Sequence, residues 1–364
     1  MYTKTTNSLF YLIRQGIGHR ASAPFVMGDW QELKELAVRQ GVSAVVLDGV
    51  GRLPKGQGPE EGLLQEWRQE VRDGFEARYS DYCKVLAQMS KFLSSKGIRM
   101  MVLKGYACAL DWPRPEHRPC GDIDLWAFGR AQEVEDAVTE GRGIDVTTDR
   151  HHYSSFRWWK FLVDNHYTLI NTYHHKANLA FEQILEKLAE DDSHSVDLAG
   201  ERIYLPSPDL HALFLLKHAF SHFVAGDLSL RQVLDWGFHV QAHSSEIDWP
   251  RLVDVLDRFG MHRMFNLFNI ICVEDLGFAA SLFPELRFSP VLKDRVLIEI
   301  ISPSGASDGG AGAGAAPSRF LSRLLFSLRR WRANAWKHRL CYRESLWSAF
   351  WSRAWGRLLK SSSI

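Results

Sequence analysis

Asp122 and Asp124 are the residues of this sequence whose type and spacing are best suited to chemistry. They lie in the run Gly121-Asp122-Ile123-Asp124-Leu125, which alternates polar and apolar side chains as a β-strand does. On a strand, this spacing places both carboxylates on one face and directs Ile123 and Leu125 into a core. Neighbouring carboxylates repel unless a cation lies between them, and Mg²⁺ or Mn²⁺ prefers such oxygen ligands. The pair predicts a metal site, although a solvated strand end has the same pattern.

A third carboxylate is usually needed to complete a site for two metal ions, and Asp164 is the best candidate. It lies in Val163-Asp164-Asn165-His166, after an apolar run that predicts a second strand. Asp145 and Asp149 are weaker candidates because they lie in a polar stretch without a strand pattern. We therefore predict that Asp164 joins the aspartate pair as the third metal ligand.

A positively charged turn upstream of the aspartate pair is suited to binding phosphate. Lys104-Gly105 follows the mostly apolar run from Ile98 to Leu103 and precedes a predicted short helix. Glycine lets the backbone approach a phosphate, a helix N-terminus offers unpaired N–H groups, and Lys104 adds positive charge. Arg118 and Gly121 lie in the loop that follows and complete this predicted phosphate site. A plain strand-to-helix turn is the alternative interpretation.

Several histidines could support the site from outer positions. His166 lies two residues after Asp164 and would share its strand face. His211, His218 and His222 are spaced by seven and four residues, which places them on one face of a predicted helix. Such a stripe could bind metal or phosphate, or could pack inside the protein. Packing is favoured for His211, whereas His218 and His222 remain candidates for the site.

The elements that must position these residues predict an α+β fold, in which a small mixed sheet lies between helical regions. A helical periodicity dominates residues 1–97, and includes one long helix from about residue 60 to 95. Strand patterns occur within residues 98–200, and the helical pattern returns over 201–301. Residues 302–318 are rich in Gly, Ala and Ser and predict a flexible linker, followed by a basic, aromatic helical segment at 319–364.

Three tryptophans in the last segment recur every four residues and form one helical stripe: Trp347, Trp351 and Trp355. Arginines accompany them at positions 343, 353 and 357. The stripe could contact nucleic acid or an anionic membrane surface, or it could pack onto the protein body. We favour packing, because a strict spacing of four residues suits a groove between helices.

Composition limits the class of protein and its surroundings. The 364 residues carry a net charge of +1, so no global field favours nucleic acid or membrane. No apolar stretch approaches the roughly 18 residues that span a bilayer. The five cysteines are scattered and form no Cys-x-x-Cys pair, which argues against a disulfide framework or a zinc knuckle. We therefore expect a cytoplasmic protein without a transmembrane segment.

The motifs together resemble those of the bacterial family called "uncharacterised nucleotidyltransferase", within the polymerase-β-like superfamily. The resemblance is carried by Leu103-Lys104-Gly105, by Trp112-Pro113-x-Pro115 with Arg118, and by the run from Gly121 to Leu125. Further recurring stretches extend it along most of the chain: His151-His152, Val163 to His166, Leu216-Lys217-His218, His222 and Leu230 to Trp236. One departure is the first turn, which is Lys104-Gly105 here and Gly-Ser in the wider superfamily.

The resemblance implies a polymerase-β-like core that transfers a nucleoside monophosphate from an NTP to an acceptor and releases pyrophosphate. Asp122, Asp124 and Asp164 would be catalytic and bind Mg²⁺ or Mn²⁺. Lys104, Gly105, Arg118 and Gly121 would bind the nucleotide. The acceptor class stays open between a small molecule, a glycan and a protein. A catalytically silent regulator that binds nucleotide or a partner is the main alternative, and a phosphohydrolase that uses the histidines is another.

Overall fold

A seven-stranded mixed sheet forms the framework of the chain, with strand order β3-β4-β5-β2-β1-β7-β6. The computed structural model describes residues 3–20, 24–26, 28–149, 152–172, 176–284, 286–287, 289–302 and 335–343. The strands are β1 Met101–Val102, β2 Ile123–Trp126, β3 Val146–Asp149, β4 Tyr153–Trp158, β5 Phe161–His166, β6 Ser195–Leu198 and β7 Glu201–Tyr204. The predicted combination of helices with a mixed sheet is confirmed. The sheet also includes β7, which lies beyond the expected core boundary at residue 200.

Helices precede, interrupt and follow the strands. They are α1 Lys4–Gly16, α2 Trp30–Arg39, α3 Ser43–Val50, α4 Glu61–Val71, α5 Ala77–Ser94, α6 Tyr106–Leu110, α7 Ala131–Arg142, α8 Lys176–Leu188, α9 Pro208–Ala225, α10 Leu230–His243, α11 Trp249–Arg258, α12 His262–Glu274 and α13 Pro290–Ile301. A π-helical turn at Arg72–Glu76 joins α4 to α5, so the predicted long helix is continuous but locally widened.

Strand β2 occupies the middle of the sheet and places the aspartate motif there. It pairs in parallel with β5 and antiparallel with β1. Ile123 and Leu125 are fully buried, in a core formed with residues of α5 and α7. The predicted period-2 alternation is therefore confirmed, because the polar residues of the motif lie on the opposite face from this core.

The helices that precede the strands in the sequence and those that follow them pack around one shared hydrophobic core. Buried side chains of α1 to α4 and of α9 to α13 belong to the same cluster. Met101, Leu103 and Trp126 of the sheet region contribute to it as well. A shared core means that the N-terminal helices hold α9 and α10 in place against the sheet.

Part of the C-terminal segment packs onto this helical core. Residues 335–341 form a helix, within which Trp336 contacts the Phe223 ring at 5.6 Å and the Arg295 guanidinium at 3.9 Å. Leu340 and Cys341 are buried. The predicted linker after Ser302 and the stripe of Trp347, Trp351 and Trp355 lie outside the described residues. No helix in the described ranges has the length and apolar character needed to cross a membrane.

We predict that Gly49→Ala lowers the free energy of unfolding by about 1–3 kcal/mol, the range for overpacking. Helices α1 and α3 approach so closely that a Cβ at Gly49 would collide with the Leu12 backbone. Backbone atoms cannot move aside as a flexible side chain would. Urea denaturation of the purified protein measures the change.

Gly62→Ala is the matched control. Gly62 lies in α4 with open space around its Cα, so alanine should raise helix stability by up to about 1 kcal/mol. Equal stability of the Gly49→Ala variant and the wild type would show that α1 and α3 do not meet as closely as described.

Candidate active site

The three predicted aspartates lie on or directly beside two neighbouring strands, β2 and β5. Asp124 in β2 lies directly opposite Asp164 in β5, and Asp122 immediately precedes β2. Opposed residues on paired strands project to the same face of a sheet, as do residues two apart. Asp122 is exposed, Asp164 is half-buried and Asp124 is buried. The carboxylates thus extend from solvent into the protein along one face, whereas Asp145 and Asp149 lie at or beside the edge strand β3.

The buried carboxylate of Asp124 is compensated by two basic side chains. Lys104 Nζ lies 2.8 Å from Asp124 Oδ1, and His166 Nε2 lies 3.1 Å from the same oxygen. Burial alone would raise the pKa of Asp124. The charge of Lys104 and the hydrogen bond from His166 outweigh burial and hold the pKa of Asp124 well below its usual range. Asp124 therefore stays ionised, which a metal ligand requires.

Asp164 has a different environment from Asp124. Ser155 lies opposite it on β4 and donates a hydrogen bond of 2.6 Å to Asp164 Oδ1. Burial raises the pKa of Asp164, and the negative charges of Asp124 and Asp122 raise it further against the effect of Ser155. This mutual repulsion is what a divalent cation would relieve, and it makes Asp164 the better proton acceptor of the two strand aspartates.

Gly105 has a structural reason for being glycine. Its φ of 57° is positive, and a Cβ there would collide with the Tyr82 hydroxyl group. That hydroxyl donates a hydrogen bond of 2.9 Å to the Asp122 carbonyl oxygen. The turn therefore lets α5 hold the start of β2, a function that the sequence pattern alone did not reveal. Gly121 is exposed, and its carbonyl accepts a hydrogen bond from Arg78 at 3.0 Å.

The guanidinium of Arg118 is buried in an ion pair with Asp235 of α10. Its Nε and Nη2 donate to the two carboxylate oxygens at 2.8 and 2.9 Å. Trp112 Nε1 also donates to Asp235 Oδ1, at 2.9 Å. Burial opposes the charge on Arg118, but Asp235 outweighs it and raises the pKa of Arg118 well above its usual value. In this arrangement Arg118 joins the loop to α10 rather than presenting these donors to a ligand.

Two histidines of α9, His218 and His222, lie beside each other. His218 and His222 contact each other through their Nε2 atoms at 3.0 Å, and His222 also contacts Asp227 at 2.9 Å. Burial and then the charges of Lys104 and His222 lower the pKa of His218, with Asp124 acting in the opposite direction. His218 is therefore near enough to Lys104 and Asp124 for their charges to act on its pKa, whereas the contacts of His222 are with His218 and Asp227.

Arg231 in α10 is a candidate that the sequence analysis did not identify. Its Nε is buried and has no hydrogen-bond partner among the described residues. Burial and the charge of Arg118 lower the pKa of Arg231, while Asp235 and Asp122 oppose this. A desolvated guanidinium with an unused donor near Asp122 is suited to an anion. The sequence did contain a signal for Arg231. It precedes Asp235 by four residues, which places both side chains on one face of α10.

The donor set around the strand aspartates suits a hard cation in chemical type. All three candidate ligands are carboxylates, although their oxygens do not converge as tightly as the ligand atoms of another group in the described residues. That group is formed by Asp111, His239 and His243, whose ligand atoms lie within 4.8 Å of one another. His211 packs beside it, with its ring 4.8 Å from that of His239.

We predict that Asp235→Ala lowers the free energy of unfolding by about 3–5 kcal/mol, because it leaves the buried guanidinium of Arg118 without its counter-ion. Chemical denaturation measures the change. Asp257→Ala is the control, since this side chain is 62% exposed and pairs with His262 at the surface. We expect it to change stability by less than about 0.5 kcal/mol. A similarly small effect of both substitutions would contradict the proposed importance of the Arg118–Asp235 pair.

Comparison with known proteins agrees with the predicted resemblance. The sequence matches the family described as "Uncharacterised nucleotidyltransferase" over residues 27–277. A solved structure of an antigenic nucleotidyltransferase-like protein from Paracoccidioides brasiliensis is similar, with 12% sequence identity and a TM-score of 0.33. The similarity covers 55% of this chain and 95% of that one. None of the curated proteins matches this sequence.

The family match includes all seven strands and every residue of the candidate site. It supports a role in nucleotidyl transfer in general terms. Because the matched range covers more than half of the sequence, the chain belongs to the uncharacterised nucleotidyltransferase family.

Proposed function

We propose that this protein transfers a nucleoside monophosphate from an NTP to an acceptor hydroxyl group, with pyrophosphate as the second product. The observation that carries the proposal is the direct opposition of Asp124 and Asp164 on parallel strands, with Asp122 on the same face. Three carboxylates that extend from solvent into the protein, with Lys104 and His166 beside the innermost one, are suited to a nucleotide with its divalent cation. Five unpaired cysteines fit a reducing compartment, and we place the reaction in the cytoplasm.

Asp122, Asp124 and Asp164 are the residues that would hold Mg²⁺ or Mn²⁺. When bound, the metal would neutralise charge on the triphosphate and on the leaving pyrophosphate. Lys104 and His166 both contact Oδ1 of Asp124, and we assign the other oxygen, Oδ2, to the metal. The low pKa of Asp124 supports this role, because the carboxylate does not have to lose a proton first.

The cationic side chains around the aspartates have separate tasks in this proposal. Lys104 is placed to exchange its contact with Asp124 for a phosphate oxygen, and Gly105 gives its turn the required shape. Arg231 supplies a desolvated donor for the triphosphate.

Gly121 lies beside Asp122 with no atom near enough to obstruct a ligand from that side. Arg118 acts indirectly, because its pairing with Asp235 fixes α10 and hence Arg231.

Asp164 is the residue we assign to the proton transfer. The acceptor oxygen forms a bond to the α-phosphorus while the bond to the bridging oxygen of pyrophosphate breaks. The hydroxyl proton passes to a carboxylate oxygen of Asp164, whose raised pKa favours accepting it. Three histidines lie outside these contacts. His166 orients Asp124 through its contact with Oδ1. The paired residues His218 and His222 line the nucleotide site.

We predict that Asp122→Asn and Asp124→Asn each reduce Mg²⁺-dependent pyrophosphate release by at least about 100-fold, because each variant loses a charged oxygen ligand. Asp122 is exposed, so its substitution is the cleaner test of chemistry without loss of folding. A pyrophosphate-coupled assay with each NTP, and a screen of acceptors with labelled NTPs, measure the activity. Small molecules, glycans and proteins form separate arms of the acceptor screen.

Asp145→Asn is the matched control for this substitution. Asp145 is an exposed aspartate next to the edge strand β3, so its loss of charge should leave pyrophosphate release unchanged. Wild-type activity of the Asp122→Asn and Asp124→Asn variants, or loss of activity in Asp145→Asn, would refute the assigned metal ligands.

A separate prediction concerns the proton acceptor. Asp164→Asn should strongly reduce turnover but keep measurable binding of the NTP with Mg²⁺, because Asp122 and Asp124 still hold the nucleotide-bound metal. Calorimetric binding and single-turnover kinetics separate the two effects. If the rate at saturating NTP stays normal while the Kd for the NTP with Mg²⁺ rises, Asp164 is a binding residue and the assignment of the proton transfer is wrong.

The ion pair between Lys104 and Asp124 also favours a second candidate function. A lysine ammonium 2.8 Å from the central carboxylate already supplies positive charge there, as expected for a nucleotide-binding protein without catalysis. Such a regulator would bind NTP but release no pyrophosphate with any acceptor. Release of inorganic phosphate with a transition metal would instead indicate hydrolysis.

A further inference from the structure

A second group of metal-ligand side chains lies where α10 ends. Asp111 directly follows α6, and His239 and His243 lie one turn apart in α10. Oδ2 of Asp111 is 3.4 Å from His239 Nδ1, and Oδ1 is 3.2 Å from His243 Nε2. The ligand atoms of all three residues lie within 4.8 Å of one another. Two segments distant in sequence are thus brought together by groups that could share one ion.

The separations are close to those around a tetrahedral ion. Ligand atoms at about 2.0–2.1 Å from a tetrahedral Zn²⁺ lie about 3.3–3.4 Å from each other. The distances of 3.4 and 3.2 Å from Asp111 to the two histidines agree with this value. The third separation, between the two histidines, is no more than 4.8 Å, so it would have to shorten when an ion binds.

Each of the two histidines contacts Asp111 through one ring nitrogen and a second oxygen, away from the cluster, through the other. His239 Nε2 lies 3.0 Å from the Pro208 carbonyl oxygen, and His243 Nδ1 lies 2.9 Å from Glu246 Oε1. Both oxygens are acceptors, so each ring can donate its outer N–H to one of them, and the inner nitrogen then offers a lone pair to a metal ion that displaces the proton shared with Asp111. Metal-bound histidines usually have this arrangement, in which an outer oxygen fixes the tautomer and orientation of the ring.

The ligand types and their burial indicate which kind of ion would bind. Two imidazoles and one carboxylate suit zinc and related transition metals, whereas Mg²⁺ prefers an all-oxygen set. His239 is almost completely buried, but the His243 side chain is 31% exposed. The cluster is therefore accessible from one side, where solvent could supply a fourth ligand.

We propose that Asp111, His239 and His243 bind one divalent transition-metal ion of the zinc class, with a fourth coordination position open to solvent. The ion joins the end of α10 to the segment after α6. Trp112, next to Asp111, donates to Asp235 of the same helix, so the ion stabilises the junction that also holds Arg118. This site is separate from the strand aspartates and does not depend on the proposed nucleotidyl transfer.

A proton is the competing occupant of the cluster. Hydrogen bonding to Asp111, and secondarily to Glu246, raises the pKa of His243 to about 9 in the absence of metal. A protonated cluster would hold the same side chains together without binding an ion. Direct measurement of metal binding distinguishes these two states.

The test uses the full-length protein after removal of metal with a chelator. Calorimetric titration with Zn²⁺ should give one site per chain that excess Mg²⁺ does not displace. Zn²⁺ should also raise the melting temperature, since it binds only the folded state tightly. Co²⁺ in its place should give the intense visible absorption of a tetrahedral site. His243→Gln and Asp111→Asn should each weaken Zn²⁺ binding by at least about tenfold.

His262→Gln is the matched control, because His262 is also a partly exposed histidine that contacts an acidic side chain, Asp257. It should bind Zn²⁺ as the wild type does. His222→Gln tests the other histidine pair as a source of the signal. The proposal is overturned if wild-type protein binds no Zn²⁺, or if His222→Gln removes binding while His243→Gln keeps it. Melting curves of the metal-free variants establish that they are folded.

Discussion

The buried carboxylate of Asp124 is the constraint around which the rest of the site is arranged. Removing a carboxylate from water costs several kcal/mol unless opposite charge and hydrogen bonds replace the lost hydration. Lys104 and His166 supply both, from the turn after β1 and from the end of β5. The parallel pairing of β2 with β5 then brings Asp164 opposite Asp124, and no additional contact is needed to align the two residues. The same contacts that permit burial therefore assemble the candidate active site.

A second buried pair extends this arrangement to the helices. Asp235 of α10 accepts hydrogen bonds from Arg118 and Trp112, which both lie in the loop between α6 and β2. Arg231 and Asp235, followed by His239 and His243, recur every four residues along α10 and form one face of that helix. At one end of this face the charge of Asp122 acts on Arg231, and at the other end His239 and His243 contact Asp111. Helix α10 thereby couples the loop that precedes β2 to the helical core.

The sequence patterns predicted some roles well and others less directly. Alternation around Ile123 and Leu125 correctly indicated that both pack into one apolar core, although Asp124 and Trp126 on the other face of β2 are buried as well. The pattern at Gly105 suggested a phosphate turn, whereas the structure also shows a close approach of the Tyr82 hydroxyl. Arg118 had the right charge and position for a triphosphate, yet its donors are directed at Asp235. A positive charge in a motif cannot indicate by itself whether its partner is a ligand or a distant acidic side chain.

The sequence by itself determined the chemical types at the site and the elements that present them. Two aspartates with period-2 spacing, a third after an apolar run, and family motifs over residues 27–277 are local features, fixed by backbone geometry within single strands and turns. Only the tertiary structure decided the partners: Lys104 with Asp124, Arg118 with Asp235, and Asp111 with two histidines of α10. These pairings depend on how strands and helices pack, and packing is set by the shared hydrophobic core rather than by any spacing along the chain.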